Sequence, residues 1–523
     1  MATLGYVLER NAKLYPEHVA LIYGEQRLTY RALYERASRL ASALANTGVK
    51  KQDRVSMLAM NCSVYLEYYA AAELSGIIAA PVNFRLAAAE IEYMLNDAMP
   101  SVLFFEKQYL GVIDGMRSRL HDIRHYVCVD SADLPSWAVH YEDLLASGSL
   151  EGAPFRATDE DILHLIYSSG TTGRPKGVMR THRADAAMAE AMATQLGMSL
   201  DARVLLMMPL FHIGCRSLQM PTFWMGGSVV LHRSFDPQAV LQTIDSQRIT
   251  HTHMAPTMVQ SLLQVPDFAR YDLSSLRLFL YAAAPMPVSV LRRAIEHMGP
   301  IFANGYGMTE GNATCLYPSQ HHIDGTPEEQ SRLGSVGQPV HHTSIRTVDS
   351  GGKDTPCGEP GELWLKSNTL FSGYWRNEAA TREAFEDGWY KTGDIGRMDE
   401  QGFIYLVDRK KDMIITGGEN VYCREVEEAL MQHPDVYEAA VIGVPDPAWG
   451  ESVKAVVVLK EGCPGRAEAI IEHCRTLIAR YKCPKSVEFV AELPRLPSGK
   501  ISKVLLRAQY AAPSGHAAGA VFQ

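Results

Sequence analysis

Short apolar runs alternate with amphipathic stretches along the N-terminal part of the chain. Residues 29–48 carry leucine and alanine at helical spacing before a glycine, whereas 55–60 and 77–81 are short apolar runs. The same kind of short apolar run recurs at 204–208, 228–231, 249–254, 276–280 and 301–303. Such alternation is typical of buried strands joined by helices. It predicts an α/β fold whose large N-terminal body has parallel sheets covered by helices.

The pattern changes after residue 334. Glycine and proline punctuate short strands such as 362–365 and 403–407, which predicts a smaller, mostly antiparallel β subdomain. A charged run, 408–412, then resembles a connector, and helical and strand patterns beyond it predict a small α+β domain. We therefore expect an N-terminal domain over 1–408, a C-terminal domain over 409–510 and a disordered Ala- and Gly-rich tail over 511–523.

Composition narrows the class of partner. A net charge of −9 without a basic run argues against a nucleic-acid-binding face. The nine cysteines form no Cys-x-x-Cys pair, which disfavours structural zinc and fits reduced thiols in the cytoplasm. Neither a signal-like N-terminus nor a transmembrane stretch is evident. We expect a cytoplasmic protein with small-molecule partners, and the oligomeric state stays open, a homodimer being one possibility.

One polar loop carries the first chemical signal. It follows the apolar run 162–167, precedes a helix-like segment near Thr181, and reads Ser168-Ser169-Gly170-Thr171-Thr172-Gly173-Arg174-Pro175-Lys176-Gly177. Its glycines let backbone N–H groups converge, and its hydroxyls and lysine add donors and charge, which suits a polyphosphate. Pro175 and Gly177 depart from the usual nucleotide loop of kinases and GTPases. The alternative is an ordinary surface loop.

A second motif follows a short predicted strand, at a carboxyl end where open α/β sheets bind ligands. It reads Asn304-Gly305-Tyr306-Gly307-Met308-Thr309-Glu310. Tyr306 could stack on a purine, Thr309 could donate to a phosphate oxygen and Glu310 could hold Mg²⁺. The glycine spacing does not match the dinucleotide fingerprint, so hydride chemistry is disfavoured.

Two further residues stand out nearer the C-terminus. Asp394 follows an aromatic turn and is a good acceptor for paired ribose hydroxyls, although an ordinary turn aspartate is the alternative. Lys500 is presented by a turn flanked by Pro494 and Pro497, where a solvated surface lysine is the alternative.

In combination, these motifs resemble those of the adenylate-forming enzymes, and within them the acyl-CoA synthetases. The resemblance spans nearly the whole chain, because the phosphate loop and the segments 209–214, 306–310, 390–394, 408–409, 417–420 and 494–501 occur in the family's order. It implies an AMP-forming carboxylic acid:CoA ligase that uses ATP, CoA and Mg²⁺. The acid would first attack the α-phosphate of ATP, and the thiol of CoA would then displace AMP.

The resemblance also implies roles for individual residues. The catalytic residues would be Lys500, which stabilises charge in the first step, with Thr309, Glu310 as the metal ligand, and His212 as a gate to the thiol tunnel. The nucleotide would be bound by Ser168, Ser169, Gly170, Thr171, Thr172, Gly173, Lys176, Ala283, Ala284, Asn304, Gly305, Tyr306, Gly307, Met308, Thr309, Asp394, Arg409 and Lys500. CoA would pass Gly417 and Gly418, and the small C-terminal domain would rotate about Lys411.

The acyl pocket is implied at His212, Cys215, Tyr281, Ala282, Gly305 and Met308. These residues are mostly apolar or small, which favours a medium- or long-chain fatty acid ahead of a short or thioether acid, with a hydroxycinnamate-type aryl acid behind. Cys215-Arg216 follows His-Ile-Gly where the family commonly has a second small residue, and Ala282-Ala283 replaces a frequent glycine pair. Both leave the pocket length open, and Arg216 could meet a second polar group on the acid. An amino-acid adenylation enzyme, a luciferase-like oxygenase and a non-catalytic sensor are the rival hypotheses.

Overall fold

A computed structural model describes residues 3–168, 175–284, 286–416, 419–447, 449–496 and 500–510. Its contacts divide the chain into two units. Unit 1 comprises Met1–Ile345, Leu365–Tyr390 and Gly402–Ile404, and unit 2 comprises Arg346–Trp364, Lys391–Gln401 and Tyr405–Gln523. The predicted boundary at residue 408 stays a prediction, and the tail 511–523 lies outside the described residues.

Strands recur along the described parts of both units. In chain order they are β1 Val19–Tyr23, β2 Gln26–Thr29, β3 Arg54–Leu58, β4 Ile78–Pro81, β5 Val102–Phe105, β6 His125–Cys128, β7 Ala138–His140, β8 Ile162–Ser168, β9 Lys176–Thr181, β10 Arg203–Leu206, β11 Ser228–Leu231, β12 His251–Met254, β13 Leu278–Ala282, β14 Phe302–Met308, β15 Gly311–Leu316, β16 Gln338–Pro339, β17 Thr343–Val348, β18 Gly361–Ser367, β19 Gly373–Tyr374, β20 Phe385–Glu386, β21 Trp389–Met398, β22 Ile404–Arg409, β23 Ile414–Thr416, β24 Glu419–Val421, β25 Val436–Asp446, β26 Gly450–Leu459 and β27 Ser486–Phe489.

Helices lie between most of these strands. In chain order the α-helices are α1 Leu4–Leu14, α2 Tyr30–Asn46, α3 Ser63–Ser75, α4 Ala88–Ala98, α5 Leu110–Met116, α6 Tyr141–Ala146, α7 His182–Gln195, α8 Ile213–Met225, α9 Pro237–Gln247, α10 Pro256–Leu262, α11 Val288–Met298, α12 Pro327–Ser331, α13 Glu378–Ala384, α14 Cys423–Met431, α15 Ala467–Leu477 and α16 Lys503–Tyr510.

Unit 1 contains two large sheets. One has nine strands in the order β16-β15-β14-β13-β12-β10-β11-β1-β2, and the other has eight in the order β19-β9-β8-β4-β3-β5-β6-β7. In the nine-stranded sheet, the neighbouring strands from β14 through β13, β12, β10 and β11 to β1 pair in parallel. In the eight-stranded sheet, the neighbouring strands from β8 through β4, β3, β5 and β6 to β7 also pair in parallel. The antiparallel strands lie toward the ends of each sheet. The predicted helix-covered parallel sheets are confirmed.

The two sheets share one helical layer. A single hydrophobic cluster joins residues of α1, α2, α3, α7 and α8 to inward-facing residues of both sheets, such as Met57 and Leu280. Helices α9–α11 cover the other face of the nine-stranded sheet, around Phe279 and Phe302, and α4 and α5 cover the other face of the second sheet. Strand residues therefore alternate between two buried faces, as expected for sheets covered on both sides.

The glycine loop differs from its predicted surroundings. Instead of leading directly into a helix, it joins β8 to β9 in an antiparallel hairpin, and α7 begins only after β9. The sequence prediction missed β9 because Lys176, Gly177 and Arg180 leave only two adjacent apolar residues, too few to signal a strand.

A third sheet and a fourth complete the described strands. The third has the order β17-β18-β21-β20 with β22 also paired to β21, which corresponds to the predicted β subdomain. In unit 2, β24-β23-β26-β25 with β27 form the fourth, which packs against α14 and α15 on one face and α16 on the other. The predicted α+β C-terminal domain is confirmed.

Candidate active site

The ends of the glycine loop are held side by side in unit 1. Ser168 is the last residue of β8 and pairs with Lys176, the first residue of β9. The Ser168 hydroxyl donates to the Lys176 carbonyl oxygen at 3.5 Å. The predicted binding residues Ser169, Gly170, Thr171, Thr172 and Gly173 lie outside the described residues.

Tyr374 links the predicted phosphate-binding lysine to the predicted metal ligand. The Lys176 ammonium lies 4.9 Å from the centroid of the Tyr374 ring, and the Tyr374 hydroxyl donates to Glu310 Oε1 at 3.0 Å. Sequence reasoning missed Tyr374, which is far from both partners along the chain. The one hint in the sequence was the glycine directly before it, Gly373. In the structure Gly373 has a φ of 146° and lies too close to Thr381 for a residue with a side chain to fit.

Tyr374 and Tyr390 belong, with Phe371, to a buried aromatic cluster beside the Glu310 carboxylate. Burial raises the pKa of Tyr374, and the adjacent Glu310 charge raises it further. The pKa of Tyr390 is raised well above its usual value for the same two reasons, in the same order. Both hydroxyls therefore stay protonated, and Tyr374 remains a donor to Glu310.

The turn that carries Thr309 and Glu310 joins β14 to β15, and both residues are 9% exposed. The Glu310 carbonyl oxygen accepts from the Phe371 N–H at 2.8 Å. The Thr309 carbonyl oxygen accepts from Arg180 Nη1 at 2.9 Å. The motif does not merely follow a short strand, as predicted from sequence: it forms most of β14.

Arg180 belongs to a fully buried ion network that sequence reasoning did not find. Its Nε donates to Asp185 at 2.6 Å, and its Nη2 donates to the Thr369 carbonyl oxygen at 3.2 Å. The other Asp185 oxygen lies 2.5 Å from His164 Nδ1. Burial alone would raise the pKa of Asp185, but the charges and hydrogen bonds of Arg180 and His164 together outweigh it and hold the pKa below its usual range. Burial lowers the pKa of His164 to about 4, so this ring is neutral.

The residues predicted to enclose adenine lie near the ends of β13 and β14. The Asn304 amide donates to the Ser335 carbonyl oxygen at 3.3 Å, and Tyr306 packs beside the aromatic cluster. Gly307 faces Asn312 across a bulge in the hairpin. Ala283 and Ala284 are exposed, and Ala283 has a φ of 73°, which is costly for a residue with a side chain. Such strain is often found at ligand-binding segments.

The predicted acyl-pocket residues lie on different faces of the sheet and in different hydrophobic clusters. Ala282 and Gly305 are neighbours on the sheet face that also carries Leu280. Tyr281 points to the opposite face, where its hydroxyl is 3.0 Å from His321 Nε2. Met308 packs with the aromatic cluster, and Cys215 is buried in the shared helical layer, where burial raises its pKa to about 12.

His212 and Arg216 occupy the start of α8. The His212 Nδ1 accepts from the Gly214 N–H at 3.0 Å and thereby caps the helix. Arg216 is fully buried, donates to Glu73 at 2.6 Å and lies 4.0 Å from the Tyr69 ring centroid. Arg216 is therefore held by Glu73, and its suggested contact with a second polar group on the acid stays a prediction.

Unit 2 brings Asp394, Arg409 and Lys500 together. Asp394 is buried within β21 rather than at a turn, directly after Gly393 with its φ of 71°. Arg409 Nε lies 2.6 Å from Asp394 Oδ1. Lys500 is exposed as a residue, yet burial of its ammonium lowers its pKa, and the Arg409 charge lowers it further against the opposing charge of Asp394.

The predicted connector is anchored on both sides of Lys411. Asp408 accepts from the Cys423 N–H, and Asp412 pairs with Arg507 at 2.8 Å. Burial lowers the pKa of Lys411, although the neighbouring Asp412 opposes the shift. Gly417 and Gly418, predicted to contact CoA, lie outside the described residues.

Comparison with known proteins gives the family. Residues 8–375 match the model of the AMP-binding enzymes, and 425–500 match that of the AMP-binding enzyme C-terminal domain. The chain belongs to the AMP-binding enzyme family. Its relatives are acyl-CoA synthetases of the adenylate-forming superfamily, so the chain is an AMP-forming acid–thiol ligase.

Three relatives of this AMP-binding enzyme show how far the similarity extends. A feruloyl-CoA synthase from Amycolatopsis sp. is 36% identical, with 96% of this chain and 98% of the relative covered. A long-chain-fatty-acid–CoA ligase of Mycobacterium tuberculosis is 34% identical over 98% of this chain and 99% of its own. The o-succinylbenzoate CoA synthetase of Bacillus subtilis, solved with its acyl-adenylate, is 30% identical with a TM-score of 0.84, covering 96% and 97%.

Two absences complete the description of this AMP-binding enzyme. None of its described helices combines the length and the apolar character needed to cross a bilayer. Across the described ranges, no group of three or more His, Cys, Asp or Glu side chains is arranged to hold a metal ion.

Proposed function

We propose that this ligase activates an aryl acid of the hydroxycinnamate type, with ATP and CoA as its other substrates. The observation that carries the proposal is that Ala282 and Gly305, two small residues, are paired on one face of the sheet. A Cβ atom added at Gly305 would lie 3.4 Å from Leu280 Cδ1 and 3.9 Å from the Ala282 Cβ. A flat ring can rest on a glycine and an alanine, whereas Leu280 limits the depth available beneath them.

A long aliphatic chain would have to pass this leucine. The row of residues behind Ala282 and Gly305 consists of His253, Leu280 and Ala303, which are neighbours in register and are buried. This arrangement favours an aryl acid over the fatty acid that the sequence had favoured. The 36% identical feruloyl-CoA synthase supports the aryl acid, and the 34% identical fatty-acid ligase makes a fatty acid the second candidate.

In the proposed first step the acid carboxylate attacks the α-phosphate of ATP and pyrophosphate leaves. Lys500 would stabilise the negative charge that develops between the two anions. The loop donors with Lys176 would hold the leaving phosphates. Asp394 would bind the ribose hydroxyls, and Arg409, already paired with it, would reach the ribose or a phosphate.

The residues around Glu310 fit the proposed Mg²⁺. A single buried carboxylate beside the Thr309 hydroxyl suits a cation that usually keeps several waters and phosphate oxygens in its shell. When bound, Mg²⁺ would neutralise phosphate charge. Tyr374 fixes the orientation of the Glu310 carboxylate by donating to one of its oxygens.

In the proposed second step the CoA thiol displaces AMP from the acyl-adenylate. Lys411 is the proposed pivot for a rotation that withdraws Lys500, Gly417 and Gly418 would line the path of CoA, and His212 would gate it. All nine cysteines are free thiols, which fits the proposed cytoplasmic location, and a homodimer stays a proposal.

Pyrophosphate release with ATP and Mg²⁺, with and without CoA, tests the proposal. The panel contains cinnamate, 4-hydroxycinnamate, octanoate, palmitate and an amino acid. We expect the highest kcat/KM with the cinnamates and a CoA-dependent thioester product. A preference for palmitate would replace the aryl acid by a fatty acid, and adenylate without thioester would contradict the CoA ligase.

A further inference from the structure

One buried histidine lies directly behind the proposed acyl-binding face. His253 is on β12, next to Leu280 in register, and its side chain lies on the same face of the sheet as Leu280 and Ala303. Its Nδ1 is 3.0 Å from the Gly214 carbonyl oxygen at the start of α8. A Cβ atom added at Gly214 would lie 3.5 Å from His253 Cε1 and 3.2 Å from His212 Nδ1, so both imidazoles border this glycine.

The contact with Gly214 fixes the tautomer of His253. A carbonyl oxygen can only accept, so Nδ1 carries the proton and Nε2 presents a lone pair. Burial lowers the pKa of His253 to about 4, so the ring stays neutral near pH 7. Within the part of the chain that the structure describes, Nε2 has no hydrogen-bond partner, although the residue is only 4% exposed. A buried acceptor left in this state is unfavourable unless a ligand supplies a donor.

The register places this acceptor at the far end of the proposed site. Ala282 and Gly305, which would support the ring of the acid, lie two residues nearer the carboxyl ends of β13 and β14 than the row of Leu280 and Ala303. Two residues of a strand correspond to about 7 Å, which is comparable with the width of an aryl ring and its substituent. A donor on the ring's distal edge would therefore approach His253, while the carboxylate stays at the carboxyl end of the sheet.

We propose that His253 Nε2 accepts a hydrogen bond from a hydroxyl on the distal edge of the aryl acid, and so selects hydroxylated acids over unsubstituted ones. This inference rests on the proposed aryl-acid function. It adds a residue that determines specificity and takes no part in either bond-forming step.

The same strand provides a matched control. His251 lies two residues earlier and is equally buried, but both of its ring nitrogens have partners, Thr250 Oγ1 at 2.7 Å and the Leu196 carbonyl oxygen at 3.1 Å. Replacing His253 by Phe keeps a ring of similar size. The Gly214 carbonyl oxygen would still accept from the Ser217 hydroxyl at 2.8 Å, so the change does not leave it without a donor.

The test compares kcat/KM for 4-hydroxycinnamate and cinnamate in three proteins. In the wild type we expect the hydroxylated acid to be preferred by about ten- to a hundredfold, because the unsubstituted acid leaves Nε2 unpaired. In His253→Phe the ratio should fall to about one, with the cinnamate value nearly unchanged. In His251→Phe the ratio should stay at its wild-type value even if stability falls.

The outcomes separate this inference from the function on which it rests. If neither cinnamate releases pyrophosphate while octanoate or palmitate does, the proposed function fails and the inference fails with it. If both cinnamates are good substrates but the wild-type ratio is near one, or if it survives in His253→Phe, only the inference is overturned. The wild-type ratio decides the matter alone should the variant not fold.

Discussion

The two turns that carry the proposed first-step chemistry are held in different ways. In unit 1 the Glu310 turn is fixed by a buried guanidinium on the Thr309 carbonyl oxygen, a backbone bond from Phe371 and the Tyr374 hydroxyl on the carboxylate itself. In unit 2, Lys500 is exposed, and its backbone carbonyl accepts from the Leu496 N–H at 2.7 Å.

The difference matches what each group would have to do. A carboxylate that holds phosphates gains from a fixed position, because preorganised groups need no rearrangement during the reaction. A lysine proposed to act in only one half-reaction gains instead from being able to leave the site afterwards. Substitutions that weaken one turn or the other test this difference.

The largest expected effect follows from removing the charge behind the Glu310 turn. Arg180→Leu would leave Asp185 buried without its guanidinium, and breaking such a pair costs about 3–5 kcal/mol of unfolding free energy. Urea unfolding measures the loss. Arg183→Ala, which removes an exposed arginine paired with Asp159, should cost less than about 1 kcal/mol. Equal losses in the two variants would contradict the role given to the buried network.

Removing Lys500 should affect chemistry instead of stability. Lys500→Ala should slow adenylate formation by about 10²–10³-fold, the range found when one group that stabilises a transition state is deleted. Formation of thioester from a supplied acyl-adenylate should stay nearly unchanged. Lys460→Ala, an exposed lysine of the same unit, is the control. A similar loss in both half-reactions would disprove the assignment.

The pH dependence tests the same lysine without deleting it. Because burial lowers the pKa of Lys500 below the ordinary 10.5, its proton is lost at lower pH, and adenylate formation should decline with rising pH before that value is reached. Above the lowered pKa the rate should fall about tenfold per pH unit. Lys500→Arg keeps its charge and should lack this decline, even at a reduced rate. A basic decline that persists in the arginine variant would point to another group.

A smaller effect is expected at the proposed pivot. Lys411→Pro fixes φ and restricts the preceding residue, so the backbone rotation should be hindered. We expect adenylate formation to be spared and thioester formation to slow by about tenfold, measured by stopped-flow mixing of enzyme and adenylate with CoA. Lys411→Ala, which leaves the backbone free, should behave as the wild type. Unchanged thioester formation in the proline variant would remove the pivot.

The smallest effect should come from the aromatic cluster. Tyr374→Phe keeps the ring beside Lys176 but removes the hydroxyl from Glu310, a loss of about 0.5–1.5 kcal/mol that corresponds to roughly two- to tenfold in adenylate formation. Tyr437→Phe, at an exposed tyrosine, should change nothing. A Tyr374→Phe enzyme with wild-type rates would show that Glu310 does not depend on this donor.

Local patterns were sufficient for most of the fold. The strand predicted at 228–231 is β11, and the helical spacing within 29–48 corresponds to α2, because continuous apolar runs and helical spacing are signals carried by neighbouring residues. Strand β9 was missed because the charged residues Lys176 and Arg180 obscure its short apolar centre. Lys176 faces Tyr374, and Arg180 is buried in the ion network.

The site was predictable only as far as its residues form motifs. Thr309, Glu310 and Lys176 were found by their local sequence. Tyr374 contacts Lys176 and Glu310, and Arg180 contacts Thr309, across long separations along the chain, and no spacing rule joins such residues. Tyr281 shows the converse limit. It is adjacent in sequence to Ala282, yet alternation along β13 turns its side chain to the opposite face of the sheet.

The cap at the start of α8 also restrains the rotamer of His212. Its imidazole holds the first turn of the helix through the Gly214 N–H, and an N-terminal cap is worth about 1 kcal/mol. Any rotation that moved the ring aside would release this bond, so the resting rotamer should outnumber a displaced one by roughly five to one at that energy. If His212 gates the path of CoA as proposed, this bond would favour the return of its ring to the resting position after each opening.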